Sequence, residues 1–472
     1  MTLKFGTSGL RGLAVDLSGP ASALYSEAFM LHLRALGLSQ PGAPVFIGRD
    51  YRASSPTIRD LCAAGVSARG YVPIDCGTLP TPALANYAMT QEAASLMITG
   101  SHIPEDRNGI KFYRPDGEIG KADEEAINSI AQELRGDYAL SEFRPDEMRS
   151  DHGPALATFR RRCQSILKAD SLKGLRVGVY EHSSVARGLL HDVLRHYGAQ
   201  TLSLGRSDHF IAVDTEAVSQ DTQQQLEAWA NEHRLDAIVS TDGDGDRPLV
   251  ADENGHTLRG DLLGLIAAEM VGATSIATPV TSNSGIASTD MMSVIRTKVG
   301  SPFVISAMGA ADRDGTVVGF EANGGFLLDT EARAPGGKLA PLPTRDCVLP
   351  IVASLHAMVK SKMPLSGFAA AREFPFAVAD RLQDFPTEIS FVLVDELSHN
   401  EQTAARYFAP LGKVSDLDMT DGARFTLNGN EIVHYRPSGN APELRCYCEA
   451  ATQQRAEELL RFGLEQAAKR AE

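Results

Sequence analysis

Leu235-Asp236-Ala237-Ile238-Val239-Ser240-Thr241-Asp242-Gly243-Asp244-Gly245-Asp246-Arg247 joins a strand-like apolar run to three aspartates that alternate with glycines and end on an arginine. Carboxylates are hard oxygen ligands, and three within five residues suit Mg²⁺ or Ca²⁺. The glycines let the backbone curl so that alternate side chains converge on one point. An isolated Asp-Gly-Asp-Gly is more often a solvated acidic turn. Here the loop follows the end of a buried strand, the usual place for ligand sites in open α/β sheets. Metal binding is the stronger reading.

An EF-hand has to be set aside. Asp242, Asp244 and Asp246 match its first, third and fifth positions, and Glu253 falls at the twelfth. The sixth position needs glycine for a sharp turn and carries Arg247, followed by Pro248. The flanks, Ala237-Ile238-Val239 and Leu249-Val250-Ala251, read as strands where an EF-hand needs helices. An arginine beside carboxylates also points to an anionic ligand such as phosphate sharing the site.

Outward from this loop the chain repeats strand, polar loop and helix. Pro44 to Gly48 reads as a strand, Arg49 to Ser55 as a loop, and about Pro56 to Arg69 as a helix. Leu175 to Tyr180 leads through His182-Ser183-Ser184 to a helix running toward Tyr197-Gly198. The two units share a Ser-Ser pair and a closing glycine, which suggests related α/β domains. Further strands are expected at Ala94–Ile98, Ala237–Val239, Ser275–Val280 and Thr316–Phe320. The last segment mixes strands with a closing helix, Gln453–Lys469, and reads as a smaller α+β domain. Breaks near Arg144–Pro154, after Asp252 and around Pro364–Gly367 divide the chain into 1–150, 151–254, 255–366 and 367–472.

At 472 residues, three or four domains are the natural expectation. A hydrophobic content of 43% with 22% charged residues is that of a globular protein. The net charge of −15 and the single tryptophan argue against a nucleic-acid partner. A phosphate ligand would therefore depend on a few local cations acting against the global field. The six cysteines lack zinc spacing and read as buried thiols of a reducing compartment. Cys446 and Cys448, in one strand-like run, are expected on opposite faces. With no signal segment and no apolar run of membrane-spanning length, the expected location is the cytoplasm.

A second constellation follows Ala94–Ile98: Thr99-Gly100-Ser101-His102-Ile103-Pro104, then Asn108-Gly109-Ile110-Lys111. A serine on a tight glycine-containing turn at a strand end is exposed and positioned, as a nucleophile must be. His102 and Lys111 could bind phosphate or move protons. Ser-His alone is more often an ordinary turn, and no Gly-x-Ser-x-Gly elbow supports a serine hydrolase.

These residues resemble the active-site loop of the α-D-phosphohexomutases, in which the serine is phosphorylated and both gives and accepts the phosphoryl group. The Asp242–Arg247 stretch resembles that family's metal loop. Phe5-Gly6-Thr7-Ser8-Gly9-Leu10-Arg11-Gly12 resembles its N-terminal motif, whose arginine enters the active site. Gly48-Arg49-Asp50 with Ser54-Ser55, and Thr81-Pro82-Ala83-Leu84, also fit its first domain. The resemblance extends over the whole chain and implies four domains. The first three are related mixed α/β sandwiches with helices on both sheet faces; the last is a smaller α+β domain.

The resemblance further implies that Glu321, Asn323 and Gly324 form a sugar-binding loop, with Asn323 in place of a serine and Gly325 where a histidine is common. It makes Arg436, Ser438, Gly439, Asn440 and Arg445 a phosphate-binding group, chemically sensible because arginine grips phosphate through two donors. Asn440 stands for the usual threonine and Ala441 for a common glutamate. Ser101, His102, Lys111, Arg11 and Arg247 become the catalytic set. Asp242, Asp244, Asp246 and Ser101 become the ligands of one Mg²⁺, with a hexose 1,6-bisphosphate as activator. The expected reaction interconverts mannose 6-phosphate and mannose 1-phosphate, since Gly100 resembles phosphomannomutases more than the glucosamine mutases. Glucose phosphate is the alternative sugar. A metal-dependent phosphatase, which needs no second phosphate grip, and a silent sugar-phosphate-binding protein are the alternatives of other classes. A monomer or homodimer without a membrane partner is expected.

Overall fold

The computed structural model describes residues 3–6, 9–137, 144–288, 292–438 and 442–470. They fall into two compact units, 1–276 with 300–371, and 277–299 with 372–472. Of the residues singled out above, Thr7, Ser8, Gly439, Asn440 and Ala441 lie outside the described residues.

The first unit holds two mixed sheets and three antiparallel strands of a third. In the first, the strands run in the order Lys4–Phe5, Leu10–Leu13, Arg107–Arg114, Ala94–Ile98, Pro44–Arg49, Val72–Thr78. Its last three strands are parallel and the others antiparallel. Pro44–Arg49 can be apolar without alternation because both faces are covered. Val45 and Ile47 join the core made with Leu24 and Ile58 of the helices Pro20–Ala35 and Ser55–Ala68. Phe46 turns the other way, its ring edge-to-face with Tyr87 of helix Thr81–Thr90 at 5.0 Å. Helix Ser55–Ala68 starts beside Pro56 and buries Ile58, Cys62 and Val66 at four-residue spacing. It ends before Gly70, whose φ of 78° favours glycine.

The second sheet has the order Pro248–Ala251, Ala237–Thr241, Arg176–Tyr180, Gln200–Leu204. Ala237–Thr241 and Pro248–Ala251 are antiparallel with Thr241 opposite Pro248, so residues 242–247 are a hairpin loop. Two strands flank the aspartates, which removes the EF-hand on structural grounds as well. In the third sheet Thr316–Phe320, Phe326–Leu328 and Leu342–Asp346 are successive antiparallel neighbours. Phe320 pairs with Phe326, and residues 321–325 close that hairpin. The strand expected at Ser275–Val280 is Ala273–Pro279.

The second unit holds an antiparallel sheet in the order Phe376–Leu382, Leu444–Ala450, Ile432–Pro437, Ala423–Leu427, Val414–Asp418. One face packs on helices Thr387–His399 and Gln453–Ala468 through Leu393, Leu397, Tyr435, Cys446, Cys448 and Leu459. The closing helix begins at Thr452, whose hydroxyl accepts from the Arg455 N–H. The expectation for Cys446 and Cys448 is corrected here. Residues two apart in a strand share a face, and their sulfurs stand 3.8 Å apart in the helix-covered core. Among the described residues no helix is long and apolar enough to cross a membrane.

Candidate active site

Three loops of the first unit meet at Ser101. The serine follows strand Ala94–Ile98, has a left-handed φ of 56°, and is 1% exposed. A non-glycine residue holds that conformation only where its surroundings over-determine it. Its N–H donates to Thr99 Oγ1 at 2.8 Å, and Thr99 donates to Asp50 Oδ2 at 2.8 Å. Arg52 clamps the loop from below, its guanidinium donating to the carbonyls of Ser101 (3.0 Å), Ile103 (2.6 Å), Pro104 (2.8 Å) and Arg107 (3.1 Å). Arg52 is fully buried and also paired with Asp50. A Cβ at Gly100 would stand 2.7 Å from the guanidinium carbon, so glycine there makes room for the clamp.

The Ser101 hydroxyl donates to Asp242 Oδ2 at 2.5 Å. Asp242, Asp244 and Asp246 are fully buried, and one oxygen of each lies within 4.8 Å of the others. Lys111, from strand Arg107–Arg114, donates to Asp244 Oδ2 and Asp246 Oδ2, each at 2.5 Å. Thr81 donates to Asp244 through its hydroxyl at 2.6 Å and its N–H at 2.9 Å. Burial, reinforced by the other two aspartates, pushes the Asp242 carboxyl well above the usual carboxylate range. Burial opposes charge on Asp244 too, but Lys111 and the hydrogen bonds to it hold that carboxyl well below the range. Asp244 Oδ1 and Asp246 Oδ1 are buried without a hydrogen-bond partner. Such oxygens are costly unless something satisfies them. A divalent cation fits them: it is a hard ion, and these two aspartate oxygens accept no hydrogen bond.

Cations surround this cluster. Arg247 donates to His102 Nδ1 at 2.9 Å, and that nitrogen lies 3.3 Å from Ser101 Oγ. A ring nitrogen that accepts from a guanidinium carries no proton. Burial and then Arg247 accordingly lower the His102 pKa to about 4, and the ring is neutral at pH 7. Arg11 has its pKa lowered to about 10 by burial and by the neighbouring Arg247 and Arg345. Three guanidiniums so close repel one another and suit an anion. The loop 321–325 also reaches this region. Glu321 Oε2 takes a contact from Arg345 at 3.4 Å, Asn323 Oδ1 accepts from the Gly325 N–H at 3.0 Å, and Gly324 has a φ of 82°.

Ser101, His102, Lys111, Arg11, Arg247, the three aspartates, Glu321, Asn323 and Gly324 thus belong to one unit. Arg436, Ser438 and Arg445 belong to the other. Arg436 is in strand Ile432–Pro437 rather than in a loop, and donates to Asp421 Oδ2 at 2.7 Å. Arg445 is its direct cross-strand partner, and Arg381 is that of Arg445 on the next strand. Like charges directly opposite are destabilising. Asp421 beside Arg436, and Glu443 at 3.6–3.7 Å from Arg445 and Arg381, offset part of this. The row lies on the face away from the helices, since Tyr435 and Cys446 occupy the other face.

Sequence reasoning assigned no role to Arg52, Thr81, Arg345 or Arg381. Thr81 stands in a quoted motif and Arg52 in a quoted loop, but their partners are distant in the chain. The one signal for Arg345 is the charged pair Arg345-Asp346 beside an apolar run.

Three family models match in chain order. They are Phosphoglucomutase/phosphomannomutase, alpha/beta/alpha domain I over residues 2–137, domain II over 157–255 and domain III over 259–374. The chain belongs to the phosphoglucomutase/phosphomannomutase family. As a phosphohexomutase it is an isomerase, with mixed α/β domains and a smaller C-terminal one. It is 51% identical over 463 residues to a phosphomannomutase of Sinorhizobium fredii, covering 98% of each chain. It is 40% identical to a phosphomannomutase of Salmonella muenchen, covering 96% of this chain and 93% of that one. Its fold is like that of a putative phosphomannomutase from Thermus thermophilus, with a TM-score of 0.75, 21% identity and 99% of each chain covered.

Proposed function

We propose that this phosphohexomutase interconverts mannose 6-phosphate and mannose 1-phosphate in the cytoplasm, through a phosphoserine at Ser101 and a bound hexose 1,6-bisphosphate. The similarity to two phosphomannomutases over nearly the whole chain supports the sugar. The Ser101 hydroxyl, 2.5 Å from Asp242 inside a ring of cations, is the observation that supports the chemistry most. We propose the domains 1–150, 151–254, 255–366 and 367–472, carrying respectively the phosphoserine, metal, sugar and second phosphate groups.

Phosphorylated Ser101 gives its phosphoryl group to the free hydroxyl of the sugar phosphate: the Ser101 Oγ–P bond breaks as the sugar O–P bond forms, and the proton of that hydroxyl ends on the released Ser101 Oγ. The bisphosphate reorients without leaving, and its other phosphate returns to Ser101 Oγ. Asp242, Asp244 and Asp246, with Ser101, would hold Mg²⁺, which when bound polarises the group in transit and neutralises its charge. Arg11, Arg247 and Lys111 would surround that group, so the protein mainly positions and screens. Glu321, Asn323 and Gly324 would orient the sugar ring. Arg436, Ser438, Gly439, Asn440 and Arg445 would hold the phosphate that is not reacting, with Arg381 extending their row.

The test is Mg²⁺-dependent turnover of mannose 1-phosphate against glucose 1-phosphate, primed with a trace of hexose 1,6-bisphosphate, with free phosphate followed in the same tube. Conversion to mannose 6-phosphate without phosphate release is expected. Faster conversion of the glucose substrate would change the sugar, and phosphate release alone would mean a phosphatase. Folded protein inactive on both would point to a sugar-phosphate-binding protein.

A further inference from the structure

Gly325 is small for a reason that its backbone does not supply. Gly324 has a positive φ, but Gly325 does not, so any residue could adopt its conformation. What excludes a side chain at 325 is Arg345: a Cβ there would stand 2.6 Å from Arg345 Cδ and 2.8 Å from its Cγ. The aliphatic stem of Arg345 fills the space over position 325. Its guanidinium spans two loops, with Nη2 3.0 Å from Asp246 Oδ2 and Nη1 3.4 Å from Glu321 Oε2. The side chain is 3% exposed. Strand Leu342–Asp346 supplies it by pairing with Phe326–Leu328, which directly follows the 321–325 loop.

Resting on the mutase reading above, we propose that Arg345 is the residue that positions Glu321 for sugar discrimination. One planar fork holds a carboxylate of the aspartate cluster and a carboxylate of the sugar loop. The distance between the phosphoryl end of the substrate and the hydroxyl read by Glu321 is thereby fixed, and Gly325 is the opening that admits the fork. A lysine carries the same charge but presents a point, not two donors in a plane. It can neutralise this site but cannot set the geometry between its two halves.

Arg345→Lys, Gly325→Ala, Glu321→Gln and the Arg345→Lys/Glu321→Gln double variant test this. KM and kcat are measured for mannose 1-phosphate and glucose 1-phosphate, and Ser101 phosphorylation is read by intact mass after incubation with glucose 1,6-bisphosphate. Arg345→Lys and Gly325→Ala should each raise KM and lower the preference between the two sugars by on the order of tenfold. Both should still acquire phosphate on Ser101. In the double variant Arg345→Lys should cost nothing beyond Glu321→Gln, because it acts through that residue. Unchanged sugar preference in both single variants would overturn the proposal and leave Arg345 a charge neutraliser. Additive losses in the double variant, or loss of Ser101 phosphorylation, would overturn it in favour of a direct role on the phosphoryl group. Should Arg345→Lys not fold, Gly325→Ala decides, because it moves the fork while keeping its charge. The wild type is measured first in the same assay; its inactivity on both sugars would sink the mutase reading and not this one alone.

Discussion

The region around Ser101 and the arginine row of the second unit use the same residue types in opposite ways. Around Ser101 the charges are buried, come from segments distant in the chain, and are held by further buried side chains such as Arg52 and Thr81. In the second unit, Arg381, Arg445 and Arg436 are successive neighbours on adjoining strands, and Arg445 and Arg381 are 37% and 46% exposed. A buried cluster is costly to assemble and keeps its geometry, which suits bond making and breaking. A half-open row on one sheet is cheap to build and adapts, which suits gripping a phosphate that exchanges ends. The first region should therefore fail in rate and stability when altered, and the second in affinity.

The largest effect tests the rate half of that contrast. Ser101→Ala should lower turnover by about 10⁴-fold or more, the scale for loss of a covalent nucleophile, while the melting temperature stays near that of the wild type. Wild-type-like turnover would end the phosphoserine mechanism. Next comes stability. Arg52→Ala removes four carbonyl bonds and leaves Asp50 buried beside no cation, which should cost about 3–5 kcal/mol in chemical denaturation. A loss under 1 kcal/mol would mean that the serine loop is held by other contacts.

Acid should weaken the second unit. Burial lowers the pKa of His434 to about 4, and its Nε2 donates to the Asp421 carbonyl at 2.7 Å. Between about pH 6.5 and 4 the unfolded chain takes up a proton that folded His434 refuses. Stability therefore falls on acidification through that window, by about 3 kcal/mol when complete. His434→Asn should flatten that part of the profile; an unchanged slope would assign it elsewhere. The smallest effect is in the open row. Arg436→Ala should weaken binding of mono- and bisphosphate alike by about 2 kcal/mol, leaving Ser101 phosphorylation intact. Unchanged affinity would take the phosphate grip away from this strand.

The same contrast explains what could be read in the sequence. Strands Ala94–Ile98 and Thr316–Phe320 have the expected bounds, because each is a short apolar run closed by glycine or polar residues. The aspartate loop was legible because its three carboxylates all come from one hairpin. Arg52 and Arg345 were not, since their partners lie in segments that only the folded chain brings near. The Cys446–Cys448 error was one of period: a strand repeats every two residues, so that pair shares a face. For Gly325 the sequence offers only an absence, and the structure supplies the side chain that fills it.

The clamp beneath Gly100 has a consequence for how this protein can change over generations. Arg52 holds the serine loop by its main-chain carbonyls alone, and carbonyls are common to every amino acid. Side chains at 103 and 104 can therefore be exchanged by mutation while the path of the loop is inherited unchanged. Gly100 and Arg52 have no such latitude, for each fits only the other. Variation in this loop should collect where it alters which substrate is met, and be purged where it alters where the serine stands.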